Sequence, residues 1–199
     1  MIAFNASDFS KPYATSRLNA LPKICFTEID QAFFIWGVIT LVIFSLAQFS
    51  TISWIVQAIF DAALTGVGIA TTSGLTWAIA GIAKLRWVVV LWAGLMSGGT
   101  VATAYGIFYG SALILPNLCL LWLTLCAAGY GAMAVGMRSR CFTAVCLVHL
   151  AALALSLCNS IACIGYTSGW QFFSSGLVMA SSLFFFSFVP WDMQTSDCK

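Results

Sequence analysis

Charge is what this chain has least of. Its 199 residues include eight Lys or Arg and six Asp or Glu, 7% in all, against about 25% in soluble domains. So few ionic groups cannot cover the surface of a water-soluble fold of this length, and a soluble protein is excluded. The net charge of +2 is too small to attract a polyanion, so no nucleic-acid partner is expected. There is one histidine, which rules out a bis-histidine haem within one chain. Eight cysteines are present without a Cys-x-x-Cys pair, and that speaks against a disulfide framework or a metal cluster. The soluble-enzyme signatures GxSxG and HExxH, the phosphate loop and the dinucleotide fingerprint are all missing.

What is there is apolar: 61% of residues are hydrophobic. The basic residues fall into groups that divide this material. Lys11, Arg17 and Lys23 come first, then Lys84 with Arg86, then Arg138 with Arg140, and finally Lys199. Each interval holds enough apolar chain for two crossings of about 20 residues. The loops on the other face carry no Lys or Arg, so the positive-inside rule places both termini on the cytoplasmic or stromal side. The predicted fold is an all-α integral membrane bundle of six transmembrane helices, N-in and C-in, built as three helical hairpins. Its setting is a cytoplasmic (plasma or inner) or thylakoid-type membrane.

Residues 1–29 read as a short cytoplasmic segment, polar and interrupted by Pro12 and Pro22. The apolar run behind them is too long for a cleaved signal, so the first span is expected to be retained. Residues 30–190 form the transmembrane domain and 191–199 a short tail. The spans are predicted over 31–50, 52–83, 87–110, 116–137, 141–164 and 170–190. Phe33, Phe34 and Trp36 suit an interfacial belt at one end of the first span, and Trp87, Trp92, Tyr105 and Tyr109 suit the two ends of the third.

The second span is the informative one. Its 32 residues would extend roughly 48 Å as a helix, beyond a hydrocarbon core of about 30 Å. Either it tilts or it breaks at Gly66, Gly68 or Gly74. Gln57, Asp61, Thr65, Gly68, Thr72 and Thr76 recur at helical steps and make one polar or small stripe, with Ile55, Val56, Ile59 and Val67 turned away. Asp61 is the one charge in this span. A carboxylate in hydrocarbon costs about 2.5–3.5 kcal/mol on insertion scales, so it is sheltered by protein or water. Two readings follow. Asp61, with Gln57 and Thr65 one turn to either side, forms a proton- or solute-binding site; or Asp61 sits at the far interface or fixes helix packing.

His149, on a face with Ser156, is the second candidate, as a ligand or proton relay. The bland alternative is a neutral histidine bonded to a neighbouring helix. A pigment, or a haem with a non-histidine partner, stays open there, and the 15% aromatic content invites a pigment- or lipid-binding reading. Asp61 and His149 would make a proton pair only if the second and fifth helices touch. Helix-packing faces are expected at Gly98, Ala102, Gly106 and Gly110 in the third helix, and at Ala128, Ala132 and Gly136 in the fourth.

Three functions fit these features. The first is a non-catalytic membrane subunit or scaffold that packs against lipid, pigment, other membrane subunits or copies of itself. The second is a small-solute or proton permease or channel using the Asp61 stripe. The third is an intramembrane redox or lipid-modifying enzyme centred on His149.

Overall fold

The computed structural model describes residues 27–161 and 169–189, without the side chains of 159–161. The expected terminal segments 1–29 and 191–199 thus lie outside the described residues, apart from the few residues that open the first helix. The described chain is helical without strands: α1 (Glu28–Phe49), α2 (Trp54–Ile82), α3 (Arg86–Tyr109), α4 (Leu118–Met137), α5 (Arg140–Ile161) and α6 (Gln171–Phe188). All six are long and apolar enough to cross a membrane, which makes the chain read as an integral membrane protein.

Local chemistry sets the helix ends. Thr27 caps α1 through a reciprocal capping box. Its hydroxyl accepts the Asp30 N–H at 3.2 Å, and the buried Asp30 carboxylate accepts the Thr27 N–H at 2.8 Å. Ser53 caps α2 by accepting the Val56 N–H. Pro116 sits in a short 3-10 turn, Leu115–Asn117, that leads into α4. The ends of α2 and α4 are closed by left-handed residues that are not glycine, Lys84 (φ 57°) and Arg138 (φ 51°).

α2 is one unbroken helix of 29 residues with Gly66, Gly68 and Gly74 in its interior. At 1.5 Å per residue it is about 43 Å long. No break shortens it, so tilt or protrusion must absorb the excess.

The closest helix pairings are α1 with α6, α4 with α5 and α2 with α3. The last two are joined through the cationic turns at Lys84 and Arg138. The predicted hairpins α1/α2, α3/α4 and α5/α6 also touch, but less extensively.

Aromatic side chains seated over glycines make two of these contacts, α1 with α6 and α3 with α4. Between α1 and α6 the exchange is reciprocal: a Cβ on Gly37 would strike the Phe184 ring at 2.7 Å, and one on Gly176 would strike Phe44. Between α3 and α4, Trp92 covers Gly129, Trp87 covers Gly136 and Trp122 covers Gly99. The absent side chain lets a flat ring approach the opposing backbone, which in lipid supplies the dispersion contact that hydrophobic burial cannot. Two expected belt residues therefore face inward. Phe33 is buried, and Trp92 packs against Gly129 and Tyr130.

Candidate functional site

The inner face of α2 carries the predicted stripe. Gln57, Thr65, Gly68 and Thr76 are buried and Asp61 is half-buried, while Val56, Ile59 and Val67 on the other side are 55–61% exposed. Because α2 is packed between α1 and α3, this stripe meets protein rather than lipid.

Gln57 and Asp61 line a cavity of about 30 Å³. Its other walls come from α1 (Phe44, Ala47), α3 (Thr103, Ile107), α4 (Leu118, Trp122) and α6 (Phe172). That volume exceeds the roughly 10–15 Å³ needed to hold one water. Asp61 Oδ1 is buried and accepts no hydrogen bond among the described residues. Thr65 is buried one turn further along and does not line the cavity.

Thr103 was not foreseen from sequence. Its hydroxyl accepts the Trp122 indole N–H at 3.2 Å, which leaves its own hydrogen uncommitted. Thr71, Thr76, Thr100 and Thr124 turn their hydroxyls onto a carbonyl one turn back in their own helices. Thr103 makes no such bond. The cavity thus offers a carboxylate oxygen and a carboxamide, with a hydroxyl as potential donor. Such groups suit a water, a proton or one small hard cation.

A second cavity, of about 140 Å³, lies toward the other end of the stripe. Phe33 and Trp36 of α1, Thr72, Thr76 and Ala80 of α2, Val88 and Trp92 of α3, Met133 and Met137 of α4, and Leu183 of α6 enclose it. Between the two cavities the stripe is closed at Gly68. A Cβ there would stand 3.0 Å from Trp36 and from Ile39. Trp36 is held by an indole N–H bond of 2.7 Å to the Thr72 hydroxyl. The Trp92 indole nitrogen, by contrast, is buried and has no partner among the described residues.

His149 lies elsewhere, fully buried beside Tyr130. Its Nδ1 is 2.9 Å from the Val145 carbonyl. A carbonyl only accepts, so Nδ1 carries the proton and Nε2 presents its lone pair. That nitrogen is buried without a partner among the described residues. Tyr130 is the nearest ring, at 5.0 Å between centroids. Ser156 is half-buried two turns on and is engaged. The backbones of α2 and α5 do not come within 8 Å (Cα to Cα) of each other among the described residues, and neither Asp61 Oδ1 nor His149 Nε2 has a hydrogen-bond partner there. The conditional Asp61–His149 proton pair is therefore not assembled. Nor do any three His, Cys, Asp or Glu among the described residues gather to hold a metal.

The predicted packing residues divide by position. Gly106 is buried against Ile114, Gly136 lies under Trp87, and Ala102 and Ala132 are half-buried. Gly98 and Ala128 are exposed, and Gly110 is the left-handed cap that ends α3 (φ 60°). The tight approaches fall one residue on, at Gly99 and Gly129.

No family model matches the chain, and no curated protein or solved structure matches it either.

Proposed function

We propose that this chain is a membrane permease or channel that binds a proton or a small cation at Asp61. One observation carries the reading: a carboxylate turned into the bundle, with one buried oxygen unpartnered, beside Gln57 and Thr103 on a water-sized cavity. An unpartnered buried carboxylate oxygen is costly, and a purely structural role would favour partners for it. Here Asp61 holds the exchanging species, Gln57 supplies a second oxygen, and the Thr103 hydroxyl orients the water that accompanies it. The basic turns orient the bundle with both termini on the cytoplasmic or stromal side.

The test is ion or proton flux into proteoliposomes. Asp61→Asn keeps the shape and removes the charge. It is expected to abolish flux, and Thr103→Val to reduce it several-fold. Wild-type flux in Asp61→Asn would remove the reading.

A second reading, a subunit packed against other membrane proteins or against copies of itself, rests on a different face. Gly66 and Gly74 of α2 and Gly94 and Gly98 of α3 point into open space, where a Cβ would meet nothing. Small outward residues of this kind let a further helix approach closely. Native mass measurement separates the two readings: a lone 21.4 kDa species argues against the subunit.

A further inference from the structure

The apolar cavity at the other end of α2 has a rim made of unusual residues. Ala83 and Leu85 line it and flank Lys84; Met137 lines it and precedes Arg138. Lys84 and Arg138 are the non-glycine residues with positive φ among those described. Glycine is the residue that closes a helix this way without strain. At both sites beside the cavity the chain carries a cation instead.

The other described cations are occupied. Arg86 donates from Nε to the Trp77 carbonyl at 3.5 Å and lies 5.0 Å over the Trp77 ring, and Arg140 is engaged as well. Lys84 and Arg138 are exposed, and their side chains make no hydrogen bond or ion pair among the described residues. Two free cations therefore stand beside one apolar chamber. Six residues into α3 from Arg86, roughly 9 Å along the helix, Trp92 adds its ring to the chamber wall.

We propose that this cavity and its rim hold one anionic glycerophospholipid, its phosphate between Lys84 and Arg138 and an acyl chain inside the cavity. Each part of the lipid has a counterpart at the depth its chemistry requires. The charged headgroup meets cations at the membrane surface, and below them the hydrocarbon meets Phe33, Ala80, Trp92 and Met133. A free phosphate would leave the apolar walls empty, and a neutral lipid would leave the cations unused. The site does not depend on Asp61, so it stands or falls separately from the flux reading.

The test is native mass spectrometry of the full chain titrated with phosphatidylglycerol or, in parallel, phosphatidylcholine. The expected result is one tightly held phosphatidylglycerol per chain. Lys84→Gly with Arg138→Gly should lower that affinity about 30-fold, the ratio expected for two surface cations. Phosphatidylcholine binding should not change. Because glycine fits the left-handed backbone, the lipid-free thermal midpoint of this variant should stay level or rise, which a merely structural role for the two residues would not produce. Lys84→Gln with Arg138→Gln should repeat the loss, and Ala80→Phe, which fills the cavity, should weaken both lipids. Equal retention of the two lipids by the wild type, no retention of either, or unchanged phosphatidylglycerol binding in the glycine variant would overturn the proposal.

Discussion

Two cavities share the inner stripe of α2 and differ in what they could admit. The smaller has Gln57, Asp61 and Thr103 among mainly apolar walls, and one oxygen of that acid is buried without a partner. The larger is walled by rings, methionines and alanine, and two threonine hydroxyls reach it. Thr76 donates to the Thr72 carbonyl at 2.8 Å, and the Thr72 hydroxyl accepts from Trp36. One helix thus presents an acid-bearing chamber and a wider, oily one, divided where Gly68 meets Trp36 and Ile39. The lesson is that one polar stripe can serve two chambers that differ in the group it presents: a carboxylate and an amide at one, hydroxyls among rings and methionines at the other.

That contrast can be broken at its dividing wall. Gly68→Leu would push a branched side chain into Trp36 and Ile39 and is expected to cost about 3 kcal/mol, read as a fall in the thermal unfolding midpoint in detergent. A midpoint within experimental error of wild type would mean that α1 and α2 are not held apart by so narrow a margin.

Asp61→Asn sharpens the polar side. Neutralising a partly buried carboxylate that has one oxygen unpartnered is expected to raise stability by about 1 kcal/mol while flux is lost. A large loss of stability would instead reveal a partner for that oxygen and favour a packing role.

On the oily side, Trp36→Phe removes the indole donor to Thr72 and is expected to cost about 1 kcal/mol. The smallest effect belongs to Thr76→Val. Its hydroxyl bonds only its own helix, so unfolding should shift by less than about 0.5 kcal/mol. A greater loss would show that this hydroxyl serves the cavity.

Much of this architecture is legible in the order of residues. Three apolar intervals between cationic groups, each long enough for two crossings, correspond to six helices. The three- and four-residue steps from Gln57 to Thr76 mark a face, because a carboxylate and an amide are expelled from lipid whatever their neighbours. Glycine carries no such preference. α3 has glycines at 94, 98, 99 and 106, so small residues occur around much of its circumference. The step of four that includes Gly98 is as regular as any, yet the ring of Trp122 lies on Gly99, a turn of about 100° away. Which glycine receives a ring depends on the partner helix, and that information is not local. The same holds for Thr103, whose place beside Asp61 requires α2 and α3 to lie at one particular rotation.

The pairing of α1 with α6 has a consequence for how the molecule is made. Gln48 near the end of α1 donates to the Gly169 carbonyl and accepts the Phe173 N–H, across 121 residues of sequence for the first of these bonds. At 5–20 residues per second, a ribosome needs roughly 6 to 24 s to supply that interval. Throughout that time the notch at Gly37 and the ring of Phe44 stand open in the bilayer, without the α6 residues that will close them. The earliest helix completes its packing last, and a nascent chain halted before α6 would present that vacant seam to whatever surveys unfinished proteins in its membrane.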